Sequence, residues 1–116
     1  MSKLPIKTDG MRGHPRFYEV LQELAQLHNA KNTDYATQAD PLMNFTRRAE
    51  IELKFGTITE GRPATKVAIN DLLKQLTAGM SLLQKGETGK VEGVPDRLKD
   101  TAVYAILALI LYEENK

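Results

Sequence analysis

The stretch "AVYAILALILY" (102–112) decides the fold. It is roughly half the ~20 apolar residues that a bilayer-spanning helix needs, so it reads as a helix buried in protein. The segment opens near Pro95-Asp96, continues to about Glu114, and is apolar on every side from Ala102 to Leu111. A helix of that kind has to be covered all round. Three further helices in one small chain cover it with difficulty, so a homo-oligomer that packs helices from two or more subunits is expected. The alternative is that Ala102, Ala105 and Ala108 let neighbours approach closely within a single chain.

Three more helical patterns precede it. From about Pro15 to Ala30, Phe17, Val20, Leu21, Leu24, Leu27 and His28 recur at the three- and four-residue spacing of one helix face, and Pro15 suits a first turn. Asp40-Pro41 reads as an N-cap and first helical residue, opening a helix that runs to Phe55 and stops at Gly56. Leu42, Phe45, Ala49 and Leu53 share its inner face. The longest pattern spans about Pro63 to Lys85, with Val67, Ile69, Leu72, Leu73, Leu76, Met80 and Leu83 as its apolar stripe and Gly86 as its end. Only "GTITEG" (56–61) hints at strand alternation, and it is too short to count. The expected architecture is an all-α four-helix bundle, residues 14–116 forming one helical domain behind a loosely held arm at 1–13. "GETGKVEGVP" (86–95), with three glycines and a proline, is a loop.

Composition bounds the function. A chain of 116 residues has room for one core. Sixteen Lys plus Arg against fifteen Asp plus Glu leave a net charge of +1, so no global field draws it to nucleic acid or an anionic membrane, and neither is an expected partner. Cysteine is absent, which removes disulfides and thiolate metal sites and leaves carboxylates, amides and two histidines as candidate ligands. "MSKLPIKTDGMRGHP" (1–15) has no apolar signal region, and the cytoplasm is the expected compartment.

Two acidic rows carry the chemistry. Asp71 shares a helix face with Lys74 and Gln75, and Asp96 and Asp100 are four apart with Tyr104 one turn further on. Antiparallel helices bring such rows together, and clustered carboxylates hold hard cations such as Mg²⁺ beside a substrate's phosphates. The structural readings stand beside this: Asp96 as a first-turn acid favouring the helix dipole, Asp71 with Lys74 as a surface ion pair, Glu19 and Glu23 with Arg16 as a solvated face, and His28 as a packed stripe residue. "KNTDYATQADPLMNF" (31–45) adds polar groups between two helices. Lys31 suits a phosphate, Asn32 and Asn44 the polar edge of a base or sugar, Tyr35 a stacked base, and Asp34 or Asp40 a cation, although an N-cap already accounts for Asp40. "GETGK" lacks both the spacing and the preceding strand of a phosphate loop.

Taken with "RRAE" (47–50) and "DRLKDTAVYAILAL" (96–109), the 31–45 stretch resembles the small, largely phage-associated proteins of the nucleotide modification associated domain 1 family. Those carry Lys/Arg-Asn-x-Asp-Tyr, then Pro and Asn-Phe, then an Asp-x-x-x-Asp helix ending in Tyr-Ala; the likeness covers about residues 17 to 113. That family is in turn similar to the all-α MazG-like and dimeric dUTPase pyrophosphatases, which place acidic pairs around Mg²⁺ and cleave a nucleoside triphosphate between the α and β phosphates. The chain departs from them where Arg97 stands in place of a Glu and Lys74 follows Asp71 instead of a second acid. Asp34, Glu50 or Glu23 would have to complete the cage.

Two functions follow from the resemblance. In the first, a Mg²⁺-dependent pyrophosphatase-like or nucleotide-modification accessory protein of the host cytoplasm uses Asp71 and Asp100 catalytically and Asp71, Asp96 and Asp100 as metal ligands. Lys31, Asn32, Asp34, Tyr35, Asn44, Lys74 and Tyr104 then hold the nucleotide. In the second, a non-catalytic protein sequesters a nucleotide, with Lys74 and Arg97 favouring phosphate over metal.

Overall fold

The computed structural model describes residues 10–35, 40–87 and 93–114, with the side chains of residues 31–35 outside the description. Among the described residues there are four helices, α1 (Pro15–Tyr35), α2 (Met43–Lys54), α3 (Pro63–Gln84) and α4 (Val94–Glu113), and no strand. The architecture is all-helical, and no helix is long and apolar enough to cross a membrane among the described residues. The arm expected at 1–13 lies outside them up to residue 9; residues 10–13 are exposed.

The apolar periodicity of α1 puts Leu24 in the core, with Val20 and Leu27 packed against it. Phe17 behaves differently: it is 59% exposed and meets Tyr18 edge-to-face at 5.4 Å. The helix also runs past Ala30 to Tyr35, so the first third of the polar 31–45 stretch is helical backbone. Helix α2 starts at Met43, three residues after Asp40. Asp40 nevertheless prepares that start, because its carboxylate accepts from the Leu42 N–H (3.1 Å) and its carbonyl from the Met43 N–H (3.2 Å). Leu42, Phe45 and Ala49 are buried as their spacing predicts. Gly56, at φ +72°, takes the left-handed turn that ends α2.

Helices α3 and α4 form an antiparallel hairpin. At one end Arg97 Nη1 donates to Gln75 Oε1 (2.8 Å); at the other Arg62 donates to the Tyr112 carbonyl and stacks over the Tyr112 ring at 3.7 Å. The contact is close because small residues line it. A Cβ built on Gly79 would sit 3.4 Å from the Arg97 Cβ, and towards the start of α3 Ala64 and Ala68 are buried with Ala108 of α4 in the core cluster that also holds Val67, Val103, Leu107 and Leu111.

That close approach corrects the expected inner face of α3. Val67 is buried, but Ile69, Leu73, Leu76, Met80 and Leu83 are 43–54% exposed. Docking through Gly79 and the alanines turns the row of large side chains outward. On α4 the all-round apolar segment is covered on only part of its surface: Val103, Leu107, Ala108 and Leu111 are buried, while Ile106 and Leu109 are about half exposed.

Candidate functional site

Where α2 meets α3, an ion pair organises the polar groups. Arg48 follows Phe45 by one turn on α2, at the edge of its buried face, and reaches Asp71 of α3 with both ends of its guanidinium: Nη1 donates to Oδ2 at 2.6 Å and Nη2 to Oδ1 at 3.0 Å. The two-pronged geometry fixes both partners more firmly than a single contact. Asp71 is mostly buried, its side chain 13% exposed, and Arg48 is 38% exposed with Glu52 at 3.9 Å. Hydrogen bonding to Asp71 holds the Arg48 guanidinium above its ordinary value, against the opposing effect of burial, with the charges of Asp71 and Glu52 adding to the rise.

Beside this pair an open cleft of about 550 Å³ is lined by Arg48, Asn70, Asp71, Lys74 and Thr77, with Leu73 and Ala78 as its apolar wall. Positions 70, 74 and 77 are one turn apart on α3, so an amide, an ammonium and a hydroxyl follow each other along one groove. Lys74 is exposed and has no ion-pair partner among the described residues, since Asp71 is taken by α2. Asn44 is exposed one turn before Arg48 on α2, towards the same side.

The other expected site residues take different places. Tyr104 is half buried, packs edge-to-face on Phe45 at 6.2 Å, and lies within electrostatic range of Arg48. Asp96 is exposed and accepts from the Gly93 N–H at 3.1 Å, which is the structural reading of a first-turn acid. Asp100 is 5% exposed and has its own interaction partner. Thus Asp71, Asp96 and Asp100 are held in three separate settings, and no group of three or more His, Asp or Glu able to hold a metal ion occurs among the described residues. The expected three-carboxylate cage is not assembled by them: one carboxylate neutralises Arg48, one caps α4, and one is buried. The side chains of Lys31, Asn32, Asp34 and Tyr35 lie outside the described residues.

Asn70 and Thr77 are the site residues that sequence reasoning passed over, and Arg48 entered it only within "RRAE" (47–50), without a partner. A signal existed for Arg48, a cation beside the buried positions Phe45 and Ala49 that needs an acid from a neighbouring helix. None existed for Asn70 and Thr77, ordinary polar residues on an outer helix surface. A second hollow, about 230 Å³ between α1 and α4, is lined by Leu24, Val103, Leu107 and other apolar side chains with His28 at its wall. His28 is therefore a packed stripe residue.

No protein family, curated protein or solved structure matches this chain.

Proposed function

We propose that this protein binds a phosphate-bearing nucleotide in the cleft between α2 and α3, through cations rather than through a carboxylate-held metal. The observation that carries the reading is the arrangement around Lys74. An ammonium without an ion-pair partner among the described residues projects into an open cleft between Asn70 and Thr77, next to an Arg48 whose charge is already balanced by Asp71. Lys74 meets a phosphate, and the amide and hydroxyl serve the sugar or the base edge. The nucleotide class comes from the resemblance to the nucleotide modification associated proteins. So do the expectations of a pyrophosphatase-type bundle and of a cytoplasmic role. Self-association belongs to the same reading, because α3 and α4 leave apolar surface uncovered.

The second reading, a Mg²⁺-dependent pyrophosphatase-like enzyme, is favoured by Asp100, a carboxylate held at 5% exposure on the helix that also carries Tyr104. It requires Asp71 to exchange Arg48 for a cation and Asp34 to join the set.

Calorimetric titration with nucleoside mono-, di- and triphosphates, with and without Mg²⁺, separates the two. The cleft reading expects metal-independent binding that Lys74→Ala weakens about tenfold, equivalent to ~1.4 kcal/mol, and that Lys54→Ala on the far side of α2 leaves unchanged. Absence of binding across the panel rules it out. Binding that needs Mg²⁺, release of pyrophosphate, and loss of both in Asp100→Asn would establish the enzyme instead.

A further inference from the structure

The large side chains that α3 turns outward are regularly spaced. Ile69, Leu73, Leu76, Met80 and Leu83 alternate four and three residues apart, the spacing of a helix seam that packs against another helix. On α4, Leu98, Ala102, Ala105, Leu109 and Tyr112 repeat the same four-three alternation. Eight of these ten are large and 43–55% exposed; between them at the middle of α4, Ala105 is exposed while Ala102 is half buried and also packs against the core cluster.

The two rows share one face. At about 100° per residue, α3 presents Asp71 to α2, then Gln75 and Gly79 to α4, then the seam. Helix α4 presents Val103 and Leu107 to α1, then Arg97 to α3, then its own seam. Because α3 and α4 are antiparallel, these opposite-handed progressions place both seams on the same side of the hairpin, away from α1 and α2. Neither row contains a carboxylate, ammonium, guanidinium or imidazole, and the charge that rests on them is the Arg62 guanidinium, over the Tyr112 ring at the end of α4.

We propose that this α3–α4 face docks a second copy of the chain, two antiparallel hairpins packing across a two-fold axis into a four-helix layer. Area argues for it. Eight side chains at half exposure, roughly 100 Å² each, present about 800 Å², which is what each partner contributes to a standard stable interface and more than the few hundred Å² of contiguous apolar surface that a monomer usually exposes. A two-fold pair needs only one self-complementary patch, and a patch with large residues on α3 and the small, exposed Ala105 at the centre of α4 supplies knobs and a hole together. Residues 1–9, 36–39, 88–92 and 115–116 together hold only Met1, Leu4, Ile6 and Val91 as large apolar residues, too few for eight. The face is independent of the nucleotide cleft, which opens on the α2 side of α3 and shares only Leu73 with it.

Sedimentation velocity and light scattering on the full chain test it directly. The wild type is expected at twice its 13.0 kDa chain mass. Leu76→Glu and Leu109→Glu, each at a half-exposed position, should give the single-chain mass with unchanged helical circular dichroism, whereas Ile51→Glu, equally exposed but on α2, should remain a dimer. Ala105→Cys, in a chain with no native cysteine, should cross-link to a covalent dimer on oxidation, an arm that does not depend on a destabilising charge. A monomeric wild type overturns the proposal, whatever covers the face instead, as does a dimer that survives both glutamate variants.

Discussion

At the scale of the residue, the Arg48–Asp71 pair is the feature on which most depends. Its carboxylate is 13% exposed, so removing the cation strands a partly desolvated charge; its guanidinium is 38% exposed, so solvent recovers part of the loss. Pairs of this intermediate burial fall between the near-zero worth of surface bridges and the several kcal/mol of a broken buried one. Arg48→Met is therefore expected to lower unfolding stability by about 2 kcal/mol in urea titrations, and the Arg48→Met/Asp71→Leu double variant to recover much of it, since no lone charge remains. Glu23 makes a second residue-scale case. It accepts from Arg16 Nη1 at 2.6 Å and faces Lys99 Nζ of α4 at 3.1 Å, and these partners, Arg16 foremost, hold its carboxyl below the ordinary range. A depressed folded-state value means the stabilisation is complete above the unfolded value and vanishes as pH falls through the lowered one. The melting temperature of Glu23→Gln should accordingly lie below wild type at neutral pH, converge with it in acid, and differ less in high salt because the pair is exposed.

At the scale of the element, the α3–α4 contact turns on Gly79. Its Cβ position stands 3.4 Å from the Arg97 Cβ, ordinary van der Waals contact, and its backbone is helical. Gly79→Ala should raise stability by up to ~1 kcal/mol through helix propensity. Gly79→Leu should lower it by about 1–3 kcal/mol, because a long side chain forces the helices apart. Thermal melts of the two variants would move in opposite directions if the helices dock as described; two equal increases would show that the contact is loose. The elements themselves were legible. Pro15, Gly56, Pro63 and Gly86 mark ends within a residue or two, because caps and breakers act through the local backbone. The end of α1 was not: Lys31 to Tyr35 are polar, carry no breaker, and simply continue the helix past its apolar stripe.

At the scale of the molecule, one hydrophobic cluster joins all four helices, yet the apolar surfaces of α3 and α4 are only partly used. If a second copy supplies the missing cover, the melting temperature rises with protein concentration, since association stabilises the folded chain by mass action. For Leu76→Glu that dependence should disappear. The sequence alone determined the helical class, the approximate bounds of four helices apart from the end of α1, and the apolar excess of the fourth. These follow from periodicity and chain punctuation, which are properties of neighbours along the chain. Which side of α3 faces inward, that Asp71 answers to Arg48 rather than to Lys74, and that Asp96 caps a helix while Asp100 is buried were decided only by the tertiary structure. Those outcomes depend on the rotation and depth at which helices dock. Here the small residues Ala64, Ala68 and Gly79 set both, by letting α4 come close enough to displace a row of large side chains to the outside.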